Sequence, residues 1–242
     1  MTEKSSPLRP ALRAAAAGAL IGMVALVGIV WASRHGALPW QGGPPVVVRT
    51  ADFAGETASS DARRLARWVA RTGDNRGMNF VILDKKQARV FVFGPDARLR
   101  GASPVLLGFA PGDDSVAGIG KRPIAQVRPH ERTTPAGRFV AEPGRNTLDE
   151  EVIWVDYDAA VSMHRVRATV ASERRLERLA TPTPDDNRIS YGCINVPVTF
   201  FEQVLQPAFD KRYGVVYVLP ETRALDEVFA LGNEAGAAAQ PM

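Results

Sequence analysis

Cys193 is the residue of this sequence best suited to covalent chemistry, and it lies in the run Ser190-Tyr191-Gly192-Cys193-Ile194-Asn195. It is the only cysteine in 242 residues, so it is either a buried apolar filler or a thiol kept for its reactivity. A thiolate is the attacking species, and a nearby imidazole lowers the thiol pKa and accepts the proton. Gly192 lets the backbone pass close to a substrate carbonyl, and the amides of Gly192 and Cys193 are candidate donors to an oxyanion.

His164 is the best candidate for the base. The other histidines are His35, beside an apolar N-terminal segment, and His130, in an irregular stretch rich in Gly and Pro. His164 instead follows a strand-like run at 161–163, which would hold its ring in a fixed place. The sequence therefore predicts a cysteine nucleophile, Cys193, paired with His164.

Other chemistries lack their residues. Gly118-Ile119-Gly120-Lys121 lacks the earlier glycine and the following Ser or Thr of a phosphate loop, so no nucleotide is expected. Three histidines and one cysteine show no zinc spacing, so we expect no metal and no cofactor. The net charge is +4 without any basic run interleaved with aromatics, which argues against nucleic acid as a partner.

Short strand-like segments dominate the framework that must position this pair. They lie at 80–83, 89–93, 105–109, 138–140, 152–155, 166–170 and 215–219. Helical patterns are few: one at 61–73 with Asp61 as the N-cap and Trp68 packed on the domain, one at 173–180, and one from Thr199. This pattern predicts an all-β barrel or sandwich-like domain with a few short helices.

Residues 14–33 form an uncharged apolar run. Twenty residues of helix span about 30 Å, the thickness of the hydrocarbon core of a bilayer. Lys4, Arg9 and Arg13 precede the run and Trp31 lies near its end, which predicts a membrane anchor with residues 34 onward outside the cytoplasm. A cleaved signal peptide and a buried core helix are the alternatives. An oxidising compartment would pair cysteines, so the lone thiol there favours a chemical role.

The chain divides into four predicted parts. Residues 1–33 are the N-terminus and anchor, and 34–77 are a linker with one short helix. Residues 78–220 are the catalytic domain, and 221–242 are a C-terminal helix followed by a flexible Ala- and Gly-rich tail.

The segment around Cys193 resembles the signature of the L,D-transpeptidase (YkuD-like) catalytic domain. That signature is a His, a spacer, and then Ser/Thr-His-Gly-Cys-hydrophobic-Asn, matched here by His164, Ser190, Gly192, Cys193, Ile194 and Asn195. The run Thr134-Pro135-Ala136-Gly137-Arg138-Phe139 also resembles a turn of the family, and the hairpin after residue 78 and the strand at 215–219 resemble its opening and closing elements.

The resemblance implies a periplasmic enzyme acting on peptidoglycan stem peptides. Cys193, deprotonated by His164, would form a thioester and pass the acyl group to an amine or to water. Ser190 would orient His164 through its backbone carbonyl, while the amides of Gly192 and Cys193 would hold the oxyanion. Asn195 would position the loop or substrate, and Tyr191 would line the pocket.

This sequence departs from the pattern in two places. Tyr191 replaces the second His, and the spacer 165–189 is about ten residues longer than the family's usual one. The longer spacer is either a lid or substrate wall, or a solvated excursion without a catalytic role. Two other functions therefore stay open: a related murein carboxypeptidase or endopeptidase, and a membrane-tethered peptidoglycan-binding protein with a degenerate site.

Overall fold

The computed structural model describes residues 50–210 and 212–231. The predicted anchor at 14–33, the residues of the linker before 50 and the tail from 232 lie outside this range. Within the described part, no helix has the length and apolar character needed to cross a membrane.

The described chain is mostly β-structure with a few short helices, as predicted. The strands are β1 (Phe80–Asp84), β2 (Arg89–Phe93), β3 (Leu99–Pro104), β4 (Leu107–Gly108), β5 (Gly137–Arg145), β6 (Glu151–Asp156), β7 (Val161–Arg165), β8 (Arg188–Ser190), β9 (Ile194–Val196) and β10 (Gly214–Val218). The helices are α1 (Ser60–Thr72), α2 (Arg175–Ala180), α3 (Val198–Phe200), α4 (Gln206–Ala208) and α5 (Leu225–Val228), with a π-helical turn (Phe201–Leu205) joining α3 to α4.

The main sheet closes on itself almost completely. Its strand order is β3-β2-β1-β10-β5-β6-β7-β9, so β3 and β9 are its two edges. Just after β3, Leu106 exchanges two backbone hydrogen bonds of 2.9 Å with Asn195 in β9, and β4 then pairs with β8. The edges therefore meet in a nearly closed barrel, which satisfies backbone groups that an open edge would expose.

Both faces of the central strands are buried. Val81 and Leu83 face a core inside the barrel, which the helical segment 198–208 closes. Phe80 and Ile82 face a second core on the outside, covered by α1 and by residues 225–231. Because both faces are covered, β1 is apolar throughout instead of alternating with polar residues. The packed domain thus extends beyond the predicted bounds of 78–220.

Helix α1 begins two residues earlier than the sequence suggests. The side chain of Ser59, not that of Asp61, caps it by accepting a hydrogen bond of 3.1 Å from the amide of Ala62. Gly73 ends the helix in a left-handed conformation, as predicted. Leu65 and Val69 are fully buried against the sheet, so the helix is an integral layer of the domain.

The spacer 165–189 is folded on the end of the barrel. The strand predicted at 166–170 does not form: β7 ends at Arg165, and the chain then leaves the sheet after one more backbone bond, from Val166 to Val196. Helix α2 follows, and its Leu179 packs with Leu106 and Val166. A small apolar cluster thus anchors the spacer to the barrel.

Candidate active site

Parallel pairing of β7 with β9 brings the predicted base and nucleophile together. His164 in β7 is in register with Asn195 in β9, and Cys193 immediately precedes β9. A sequence separation of 29 residues is therefore closed by neighbouring strands. Cys193 lies on a tight turn between β8 and β9, which leaves its side chain partly exposed.

The imidazole of His164 is oriented by the backbone. Its Nδ1 lies 2.8 Å from the carbonyl oxygen of Arg165, so Nδ1 carries the proton that it donates there. Nε2 is then the nitrogen that can accept a proton. The carbonyl of Ser190, expected to perform this task, instead accepts a bond of 2.9 Å from the amide of Phe109, because β8 pairs with β4 at that point.

The thiol and the imidazole shift each other's pKa toward an ion pair. Burial raises the pKa of the Cys193 thiol, but hydrogen bonding to His164 and the charge of its ring outweigh burial and lower the pKa below its usual value. The amide and hydroxyl of Ser162 also favour the thiolate. Burial lowers the pKa of His164, but its interactions with Cys193 raise it above the usual value. These opposite shifts are those of an activated cysteine.

Gly192 allows the turn that presents Cys193. Its φ of 128° lies in a region that side chains disfavour, and a Cβ there would lie 2.7 Å from the carbonyl oxygen of Thr133. Its amide donates 3.1 Å to the hydroxyl of Ser190, which in turn donates 2.6 Å to the carbonyl of Cys193. The hydroxyl of Ser190 thus holds the turn in place. The Gly192 amide, a predicted oxyanion donor, already donates to this hydroxyl. The amide of Cys193 is the better candidate.

Thr134 supports the same turn from the opposite side, a role that the sequence analysis did not assign. Its side chain is fully buried, and the hydroxyl accepts 2.9 Å from the amide of Gly108 and donates 2.9 Å to the carbonyl of Gly192. The Thr-Pro-x-Gly run was identified only as a turn. Its first residue, Thr134, links β4 by hydrogen bonds to the turn at residues 190–193, which carries the candidate nucleophile and is called the nucleophile turn below.

Lys85 continues this support into the core. It lies in the turn between β1 and β2, and its fully buried ammonium group donates 2.9 Å to the carbonyl of Thr134 and 2.8 Å to Asp113. Asp113 also accepts hydrogen bonds from the amides of residues 221–223. The loop 111–135, which contains the irregular stretch around His130, is therefore fixed at both the hairpin and the C-terminal segment.

Tyr191 lies at the mouth of the site. It is 38% exposed, and the guanidinium of Arg132 lies 3.9 Å from the centre of its ring. Such a contact is a cation–π interaction, and it fixes the ring on one side of the entrance. Asn195, in contrast, is fully buried and reaches Cys193 from below through a side-chain bond of 3.3 Å from Nδ2 to the carbonyl.

Cys193 and His164 open into a cavity of about 330 Å³. The other lining residues are Ile124, Arg167, Thr169, Val170, Glu173, Arg175, Ser190, Tyr191 and Asn195. Residues 167–175 belong to the long spacer, which therefore builds one wall of the cavity. Among the described residues, no group of three or more His, Cys, Asp or Glu side chains is arranged to hold a metal ion.

Comparison with known proteins returns matches to solved structures. No protein-family model matches the sequence, and no curated protein matches it significantly. An L,D-transpeptidase mutant from Enterococcus faecium is 15% identical with a TM-score of 0.35, covering 59% of this chain and 50% of its own. The helical cell shape determining protein Pgp2 from Campylobacter jejuni is 15% identical with a TM-score of 0.40, covering 68% of this chain and 57% of its own.

An L,D-transpeptidase from Stackebrandtia nassauensis is also 15% identical, with a TM-score of 0.35 and a coverage of 68% of each chain. The match spans only about half of the Enterococcus faecium structure. At these identities and TM-scores, functional assignment rests on the residues of the site itself. The structures reported above are those of two L,D-transpeptidases and of Pgp2.

Proposed function

We propose that this chain is a cysteine-dependent L,D-transpeptidase of the YkuD-like family that acts on peptidoglycan stem peptides. The observation that carries the proposal is that the pairing of β7 with β9 brings Cys193 and His164 together in the lining of one cavity. The directions of their pKa shifts agree with this. The contacts that hold the backbone of Cys193 support the same proposal. A cysteine that only filled space would need neither a glycine at positive φ before it nor the hydroxyl of Ser190 bound to its carbonyl.

The first half of the reaction forms a thioester. His164 takes the thiol proton on Nε2, and the thiolate of Cys193 attacks the carbonyl carbon of the bond between the third residue and D-alanine. The amide of Cys193 stabilises the oxygen as it gains negative charge. His164 then protonates the departing amine, the carbon–nitrogen bond breaks, and D-alanine leaves the acyl group on Cys193.

The second half releases the acyl group. An amine of a neighbouring stem attacks the thioester and gives its proton to His164, and the thiolate leaves with its electron pair. A cross-link and the free enzyme result. Water in place of the amine gives a shortened stem, which is carboxypeptidase activity.

The long spacer and Tyr191 are the features that favour a second candidate function, hydrolysis of stem peptides. Spacer residues 167–175 form a cavity wall, and Tyr191, whose ring contacts Arg132, also lines the cavity. A site that admits one peptide and water, but no second peptide, would make the protein a murein carboxypeptidase or endopeptidase. A degenerate peptidoglycan-binding protein is the third possibility, and the presence of both Cys193 and His164 in the cavity argues against it.

The proposed setting is the periplasmic face of the inner membrane. It is supported by the apolar run at 14–33 and the basic residues before it. Peptidoglycan lies in that compartment, and neither nucleotide nor metal is needed for the reaction above.

Purified full-length protein in detergent, incubated with tetrapeptide muropeptides and analysed by mass spectrometry, separates the three functions. Cross-linked dimers support the transpeptidase, and shortened stems or opened links support the hydrolase. Absence of any product supports the binding protein. The Cys193→Ala variant is the control, and product formation by that variant would refute Cys193 as the nucleophile.

A further inference from the structure

Arg175 of α2 reaches from the long spacer to the base of the nucleophile turn. Its Nη1 donates 2.7 Å to Oδ1 of Asn195, and its Nε donates 2.6 Å to the carboxylate of Glu173. The side chain of Arg175 is only 13% exposed, so it is held between these two partners with little freedom. Arg174, the preceding residue, points to solvent and pairs with Glu177.

The contact determines which way the Asn195 amide faces. A guanidinium carries only donors, so the amide oxygen must face Arg175 and the amide nitrogen must face the other way. In that orientation Nδ2 donates 3.3 Å to the carbonyl of Cys193. The same carbonyl receives the hydroxyl of Ser190 at 2.6 Å, so two donors fix the backbone of the nucleophile.

We propose that Arg175 is a positioning residue for Cys193: by binding Oδ1 of Asn195, it fixes the amide that holds the carbonyl of the nucleophile. The spacer 165–189 is then a working part of the site and not a solvated excursion. This inference deepens the proposed function, since it rests on Cys193 being the nucleophile. Its contacts, however, are specific to the inserted helix of this chain.

The charge of Arg175 acts on the site in a different direction. Burial lowers the pKa of His164 and the interactions with Cys193 raise it; the charge of Arg175 acts in the same direction as burial and opposes this rise. Arg167 and Glu173 line the same cavity. Removing the charge alone would raise the pKa of His164 and favour the imidazolium beside the thiolate. A slower thiol reaction after removal of Arg175 would therefore report the position of the turn and not the lost charge.

The reactivity of the thiol can be measured without any peptidoglycan substrate. Because the chain has a single cysteine, the rate of iodoacetamide alkylation followed by intact mass reports Cys193 alone. We would compare the full-length wild type with R175M, R175K and R174M across a pH series, and record the thermal midpoint of each. A failure of the muropeptide assay would leave this measurement unaffected.

R175M should react about tenfold more slowly near neutral pH, in line with the loss of a hydrogen bond to a charged group. R175K, which keeps a cationic donor, should recover most of the rate, and R174M should match the wild type. Wild-type reactivity of R175M across the pH series, or no recovery in R175K, would overturn the proposal.

Asn195→Asp decides the question if R175M proves unfolded. The new carboxylate can still pair with Arg175, so the helix keeps its anchor, but it cannot donate to the carbonyl of Cys193. We expect N195D to be folded and its Cys193 to be alkylated about tenfold more slowly than in the wild type, the rate expected of R175M. A folded N195D with wild-type reactivity would refute the role of the Asn195 amide and with it that of Arg175.

Discussion

Replacing Thr134 by valine tests whether the nucleophile turn depends on the hydroxyl relay, the two hydrogen bonds by which the Thr134 hydroxyl links Gly108 to Gly192. Valine has nearly the shape of threonine, so the substitution removes the hydroxyl and leaves no cavity. The amide of Gly108 and the carbonyl of Gly192, both buried, each lose a partner at 2.9 Å. Neither can reach water, because Thr134 is completely enclosed.

The expected cost follows from these two groups. An unpaired buried donor or acceptor costs about 1–3 kcal/mol, so the pair should lower the free energy of unfolding by about 2–6 kcal/mol. This is a large part of the roughly 5–15 kcal/mol that stabilises a typical domain. For a domain of this size, the melting temperature should fall by roughly 4–24 °C. The turn itself should loosen, so alkylation of Cys193 at neutral pH should slow.

Thermal denaturation and iodoacetamide kinetics measure the two effects, with Thr134→Ser as the matched control. Serine keeps the hydroxyl and loses one methyl group, which costs about 1 kcal/mol. T134S should therefore melt within roughly 4 °C of the wild type and react normally. If T134V and T134S behave alike in both assays, the hydroxyl relay does not hold the turn, and the argument for it is wrong.

Four further outcomes are expected. In the wild type, the pH midpoint of alkylation should lie below the ordinary thiol value of about 8.5, and in His164→Gln it should lie above it, because burial then acts without the imidazole. Burial would raise the pKa of Asp113, but Lys85 and the amides of residues 221–223 lower it well below its usual range. The contribution of ionised Asp113 to stability is therefore complete above about pH 4 and is lost as the pH falls. The melting temperature should drop on acidification, and it should drop less in Asp113→Asn. Gly192→Ala should lower the free energy of unfolding, measured by chemical denaturation, by about 3 kcal/mol, because Gly192 has a φ of 128° and lies close to the carbonyl oxygen of Thr133. Gly55→Ala, at φ 83° in open space, should lower it by about 1 kcal/mol. Equal values would contradict the steric argument. A carbapenem should add a covalent mass to the wild type and none to Cys193→Ala, and an unmodified wild type would count against an activated thiol.

The mainly β architecture could be predicted because apolar runs mark most strands directly. Strands β1, β2, β6 and β10 match the predicted segments closely. Strand β3 was missed because its sequence, Leu-Arg-Gly-Ala-Ser-Pro, has little strand propensity, and only pairing with β2 makes it extended. Residues 166–170 have strand-forming side chains but leave the sheet, since their place beside β9 is already used by β7.

The candidate site was predictable only in part. Cys193 and His164 could be named from residue types and the family resemblance, and strand register brings them together. The residues that support them could not be found in the same way. Thr134 and Arg175 act through single hydrogen bonds across 58 and 20 residues of sequence, and neither carries a local signal of that contact. Ser190 was identified, but its partner is the carbonyl of Cys193 and not His164.

The buried lysine relay has a consequence for when the thiol becomes reactive. Lys85 holds Thr134, Thr134 holds the nucleophile turn, and Asp113 ties this assembly to the backbone of residues 221–223, near the end of the described chain. A chain that lacks residues 221–223 cannot form these bonds to Asp113, so we expect its Cys193 to keep the weak nucleophilicity of an ordinary thiol. Truncation before Glu221 should therefore slow the alkylation of Cys193 even though the segment 190–195 is intact.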